Sequence, residues 1–147
     1  MTIRSAEDAE KQFPFQEEFL DYSGRARQFE ISLHKVHGHV FGIEARELSE
    51  LQGYRFEIDL DVCSISAIGS ALAKLRRKIR NAVVTRNLQR DKRGNKVFAR
   101  DEIRGRISCS GIVVDGELLG FKELEDLLTT YEGFEILVRI GDGESAI

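Results

Sequence analysis

Three groups of side chains in this sequence are of types that do chemistry. His34, His37 and His39 are all the histidines of the chain, and three imidazoles could hold a zinc ion with a fourth position open to water. They flank a His37-Gly38 break and no His-Glu-x-x-His pattern accompanies them, so polar surface beside a turn explains them better than a metal centre. Glu57, Asp59 and Asp61 recur at every second position, which on a strand puts three carboxylates on one face, where they could hold Mg²⁺ for phosphodiester hydrolysis. A hydrolase of that kind would bring a lysine from the next strand, and no Glu-x-Lys or Asp-x-Lys pair follows. A solvated acidic ladder is the preferred reading. Cys63 and Cys109 sit on or beside apolar runs without an adjacent base, where cysteine behaves as a small hydrophobe. No Gly-x-x-x-x-Gly-Lys-Ser/Thr loop is present, and no cofactor is expected.

The third group is basic, and it carries the strongest signal. Residues 74–106 hold 13 Lys/Arg against 3 Asp/Glu, a net +10, while the other 114 residues hold 9 against 22, a net −13. The bland total of −3 therefore hides a partition, of the kind that marks an anionic partner or an acidic surface of the same protein. Lys74, Arg77, Lys78, Arg80, Arg86, Arg90, Lys92, Arg93, Arg104 and Arg106 are the candidate binding residues. The segment has a single aromatic, Phe98, in place of an interleaved series, and no helix-turn-helix or RNA-binding motif, which weighs against direct nucleic-acid recognition.

The elements that must position these residues follow from periodicity. Ile65, Ile68, Leu72, Leu75, Ile79 and Ala82/Val83 recur in steps of three and four, which predicts a helix over about 64–93 with one apolar stripe and basic remaining faces. Before it, Phe29, Ile31 and Leu33, then Phe41, Ile43 and Ala45, alternate with polar residues on either side of His37-Gly38, and Tyr54, Phe56, Ile58, Leu60 and Val62 alternate without a fault. These are three half-buried strands. After it, residues 91–95 are a turn by composition, and Ile103, Ile107 and Cys109 suggest a strand with Arg104 and Arg106 on its wet face. Asp115-Gly116 suits the left-handed angles of a two-residue hairpin turn. Phe121, Leu124, Leu127, Leu128 and Tyr131 form a second helical stripe stopped by Gly133, and the alternation of Phe134, Ile136, Val138 and Ile140 predicts a closing strand.

Ser5 is a candidate N-cap for a short N-terminal helix before Pro14, and the arm with the aromatics Phe13, Phe15, Phe19 and Tyr22 should lie across the domain or a partner, the domain being the preferred reading. The expected fold is α+β, a mainly antiparallel sheet with two helices packed on one face in the order β-β-β-α-β-β-β-α-β. With 147 residues, 41% hydrophobic, 32% charged and a single proline, one domain is expected, comprising an arm (1–22), a core (23–142) and a tail (143–147). No apolar run long enough to span a membrane and no signal peptide is visible, and two cysteines make no disulfide framework, so a cytoplasmic protein is expected.

Gly53-Tyr54-Arg55-Phe56-Glu57, the Leu72/Leu75/Ile79 helix, Ile103-Arg104-Gly105-Arg106-Ile107, Val114-Asp115-Gly116 and Tyr131-Glu132-Gly133-Phe134-Glu135 together resemble an uncharacterised bacterial domain family, a domain of unknown function, over about residues 53–142. The chain departs from that pattern at Phe134, where Trp would be expected, and at Gly120, where a Ser/Thr-type cap would be. The resemblance implies a single fold and transfers no functional residue. The expected function is a non-enzymatic protein-interaction or self-assembly module using the basic helix, its partner a protein or a second copy. A nucleic-acid or other polyanion-binding accessory domain is the alternative, and a small metal-dependent hydrolase the second alternative.

Overall fold

Alternating apolar residues build three of the four strands of the first sheet, as the sequence predicts. In the computed structural model, which describes residues 5–48 and 53–141, β1 (Phe15–Leu20), β2 (Ala26–Val36), β3 (His39–Glu47) and β4 (Arg55–Asp59) form an antiparallel sheet in the order β1-β2-β3-β4. The register sets Ile31 opposite Ala45, Leu33 opposite Ile43 and Ile43 opposite Ile58, so these rows of β2, β3 and β4 make one face of the sheet mainly apolar. The β2-β3 hairpin turns on His37 and Gly38, both with positive φ. Against this sheet packs α2 (Ile65–Val84), started by Ser64, whose hydroxyl accepts from the Ala67 N–H at 3.0 Å. Its buried residues are Ile68, Ala71, Leu75, Ile79 and Val83, steps of three and four that make one stripe. Ala71, Leu75, Ile79 and Val83 of this stripe form the main core together with Phe19, Phe29, Ile31, Ile43 and Ile58.

The N-terminal arm is part of that sheet. Ser5 caps α1 (Ala6–Glu10), accepting from the Asp8 N–H, and β1 then pairs along its whole length with β2. The sequence shows no alternation over Phe15-Gln16-Glu17-Glu18-Phe19-Leu20 because an inward position is held by Glu17. The Arg76 guanidinium of α2 reaches it at 2.9 Å and stacks over Phe15. An inward charge with its own partner replaces the expected hydrophobe, and the strand is hidden from a pattern search.

The second half departs further from expectation. The helix ends at Val84, and Arg90, Lys92 and Arg93 beyond it belong to a hairpin of β5 (Leu88–Arg90) and β6 (Lys96–Phe98). Its turn is tied by Asp91, whose Oδ1 accepts from the N–H groups of Arg93 and Asn95. A third sheet, in the order β7-β8-β9, joins β7 (Arg106–Ser108), β8 (Gly111–Val114) and β9 (Glu117–Gly120). The β8-β9 turn is Asp115-Gly116 with φ of 54° and 75°, as its composition predicts. On β7 the parity is the reverse of the one expected, with Ile107 exposed and Arg106 half-buried. Arg106 Nη2 donates to the Gly53 carbonyl at 3.1 Å, which turns that side chain inward.

The second helix, α3 (Phe121–Thr129), packs on β8 and β9 rather than on the first sheet. It buries Leu127 and leaves Phe121 and Leu128 exposed. The α+β class therefore stands, but with three antiparallel sheets in place of one and with the two long helices on different sheets. The closing strand does not form. Residues 134–140 have no regular structure and are exposed, because alternation declares what a segment can do and not whether an edge is free to receive it. The tail at 143–147 lies outside the described residues.

Candidate functional site

The outward face of α2 gathers the part of the basic segment that the fold does not use. Lys74, Arg77 and Arg80 are exposed, recur at steps of three, and have no ion-pair or hydrogen-bond partner among the described residues. The helix carries no acidic residue at all. Nor does it carry a basic residue in its last turn, where the helix dipole would favour one. Lys92 and Arg93 are likewise exposed, on the β5-β6 turn.

The other basic candidates have duties within the chain. Lys78 reaches the Glu57 carbonyl at 3.5 Å. Arg86 donates from Nε to the Leu88 carbonyl and lies over the Tyr22 ring. Arg90 braces its own turn through the Gly94 carbonyl and comes within 3.9 Å of Glu117. Arg104 pairs with Glu102, and Arg106 holds Gly53. Ten cations from one basic segment of the sequence thus separate into an outward helical row, a hairpin tip and a set of internal braces.

The histidines do not converge. His37 sits in the turn and His39 begins β3, both exposed, whereas His34 on β2 shares a 2.6 Å hydrogen bond with Glu44. Glu44 in turn accepts from Arg55 Nε. Burial alone would push the Glu44 carboxyl up, but the hydrogen bonds from His34 and Arg55 outweigh it and hold it below its ordinary value. Among the described residues, His34, Glu44 and Glu57 are the group close enough to share an ion, yet both Glu44 oxygens already have protein partners. Of the acidic ladder, Glu57 and Asp59 lie on β4 while Asp61 falls beyond its end, so the three are not one strand face. Burial and a hydrogen bond to Glu10 push the Cys63 thiol up, away from the nucleophilic thiolate.

A buried polar joint was not legible in the sequence at all. Arg27 is buried between Asp21, at 3.0 Å, and Glu47, at 2.9 Å, with its guanidinium over the Tyr54 ring. Burial opposes ionisation of Asp21, but hydrogen bonds from Ser23, Arg27 and the Arg25 N–H prevail and lower its pKa to about 2. Beside this cluster lies the β8-β9 turn, where a Cβ on Gly116 would stand 2.7 Å from Tyr54 and 2.8 Å from Arg27. Asp115 is buried and accepts from the backbone N–H groups of Asn87 and Leu88 and from the Asn87 side chain, at 2.7 to 3.1 Å. The turn chemistry of Asp115-Gly116 is visible in sequence; the second duty of both residues depends on segments far away along the chain. Tyr54 Oη and Arg106 Nε, also at this joint, are buried without a hydrogen-bond partner among the described residues. Burial first, and then the charge of Asp115, push the Tyr54 hydroxyl far above its ordinary value.

The break after α2 is also where comparison with known families divides the chain. Residues 87–144 match the domain of unknown function DUF7713, so the likeness expected over 53–142 is shared between two models that meet between Val84 and Asn87. No helix among the described residues is long and apolar enough to cross a membrane. No curated protein and no solved structure matches the chain. The other family model spans residues 11–84, half of the 147, and by it the chain belongs to the family of the domain of unknown function DUF7686.

Proposed function

We propose that this chain is a non-enzymatic interaction module whose basic helix face docks on an acidic protein surface. The observation that supports it is the outward row Lys74, Arg77 and Arg80 on a helix without a single acid. Neighbouring cations already brace the fold, and these three have no part in that work. The −13 carried outside residues 74–106 repels nucleic acid, and a Debye length of about 8 Å at physiological salt screens only part of that repulsion. No aromatic residue lies along α2 to stack on a base. The two free cysteines are in keeping with a reducing, cytoplasmic setting, and the whole chain is proposed to act as one unit.

The test is Lys74→Gln/Arg77→Gln/Arg80→Gln in the full chain, which removes three charges at exposed positions and should leave the melting temperature unchanged. Wild-type protein immobilised under physiological salt should retain acidic proteins that the triple variant does not, and retention should fall as salt rises. Duplex DNA and single-stranded RNA should show no sub-micromolar binding by fluorescence anisotropy. Sub-micromolar nucleic-acid binding at physiological salt, abolished by the triple variant, would replace this reading with the polyanion one, in which each lost phosphate contact lowers the slope of log affinity against log salt by roughly 0.7 to 0.9.

A further inference from the structure

The row that the sequence predicts as a closing strand is barely covered in the folded chain. Phe134, Ile136, Leu137, Val138 and Ile140 are between 68% and 78% exposed. The backbone of residues 135–140 makes no hydrogen bond among the described residues. Only Phe134 has a ring neighbour, standing edge-on to Tyr131 at 5.6 Å. Five water-exposed apolar side chains within seven residues, with backbone donors and acceptors unused among the described residues, mark a surface that another strand completes.

The residue order says which strand. When two copies are laid antiparallel about a two-fold axis through Leu137, Phe134 faces Ile140 of the second copy, Ile136 faces Val138, and Leu137 faces itself. Glu135 then faces Arg139 at both ends. One side of the ribbon carries four apolar side chains from each copy, and the other carries the Leu137 pair flanked by two opposite-charge pairs, the arrangement that stabilises cross-strand neighbours. A slip of one residue sets both charges against hydrophobes, and a parallel in-register pairing sets Glu135 on Glu135 and Arg139 on Arg139. The segment is thus complementary to itself in one register.

We propose that residues 134–140 become a strand by pairing antiparallel with the same segment of a second copy, making a two-fold homodimer. A stable interface buries about 800 Å² per partner. Five side chains this exposed supply on the order of 100 Å² each, and the paired backbone adds to it. A two-stranded ribbon alone is only marginally stable, and α3, the helix that precedes the segment in the chain, leaves Phe121 and Leu128 exposed as further apolar surface for the dimer to cover. This surface is separate from the α2 face and does not depend on the function proposed for it.

Analytical ultracentrifugation of the full chain tests the pairing. Wild type should dimerise at micromolar concentration, and Leu137→Lys, which sets like charges across the axis, should be monomeric. Glu135→Arg and Arg139→Glu should each weaken the dimer at least about tenfold, because each makes both charged pairs repulsive. Mixing those two single variants should restore a heterodimer, and the double variant Glu135→Arg/Arg139→Glu should restore the homodimer. All these positions are exposed, so melting curves should show every variant folded. A wild type that stays monomeric at high micromolar concentration, or a dimer indifferent to Leu137→Lys, overturns the proposal. Loss of the dimer in the single charge variants without recovery on mixing overturns the register.

Discussion

Replacing Arg27 by Met removes the cation that two buried carboxylates share. Its Nε donates to Asp21 at 3.0 Å and its Nη1 to Glu47 at 2.9 Å and 3.2 Å, and all three side chains are buried. Breaking a buried pair by deleting one partner costs about 3–5 kcal/mol, because the remaining charge is left without water or counter-ion. Here two charges are left, so a loss near the top of that range is expected, against a total stability of about 5–15 kcal/mol for a domain. For a chain of this length the melting temperature should fall by roughly 10 °C or more. Urea denaturation of wild type and Arg27→Met measures the difference. Arg27→Met/Glu47→Gln should recover part of it, since Gln is neutral and its carbonyl can still accept from the Tyr54 N–H that Glu47 now binds at 3.3 Å. A loss below about 1 kcal/mol in Arg27→Met, or a larger loss in the double variant, would refute the view that Arg27 neutralises buried charge.

Acid should expose the same cluster from the other side. Asp21 is more acidic folded, at about 2, than its ordinary 3.8, so its contribution is whole above the ordinary value and is lost as pH falls toward 2; melting temperature should drop through that window, and less so in Arg27→Met. Gly116→Ala should cost clearly more than Gly94→Ala: both have positive φ, but only at Gly116 would the new Cβ meet Tyr54 and Arg27, and left-handed backbone alone costs about 1–2 kcal/mol. Leu75→Asp places an unpaired carboxylate at a fully buried position and should give insoluble or unfolded protein. Millimolar Mg²⁺ or Mn²⁺ should leave the melting temperature unchanged; a rise, lost on Glu44→Gln, would show that an ion displaces Arg55 and binds the folded state.

The sequence is legible wherever a residue answers only to its neighbours in the chain. Alternation reveals β2, β3 and β4, the three-four stripe reveals α2, and Asp115-Gly116 reveals its hairpin. It fails wherever a distant partner decides. Glu17 interrupts the pattern of β1 because Arg76 waits for it across the core, and Arg106 faces inward because Gly53 offers a carbonyl. The helix stops short of Arg86 where Asp115 takes hold of Asn87 and Leu88, nearly thirty positions away in the chain. The same holds for the basic segment, whose composition is plain but whose division into free and internal cations is a tertiary fact. At residues 134–140 the pattern is sound and the missing element is the partner.

The grip of Asp115 on Asn87 also limits how this chain can change. Two apolar surfaces that meet can exchange Leu for Met or Val for Ile and slide a little to accommodate it. A carboxylate that accepts from two successive backbone N–H groups and a side-chain amide has no such latitude, because direction as well as distance is fixed. Gly116 next to it admits no side chain and Tyr54 opposite leaves no gap. Substitutions on either side of this joint are therefore expected to come in matched sets: Asp115 with Asn87, Gly116 with the packing of Arg27 and Tyr54. Chimaeras that graft the segment after α2 from one relative onto the first sheet of another should fold only when all five positions travel together.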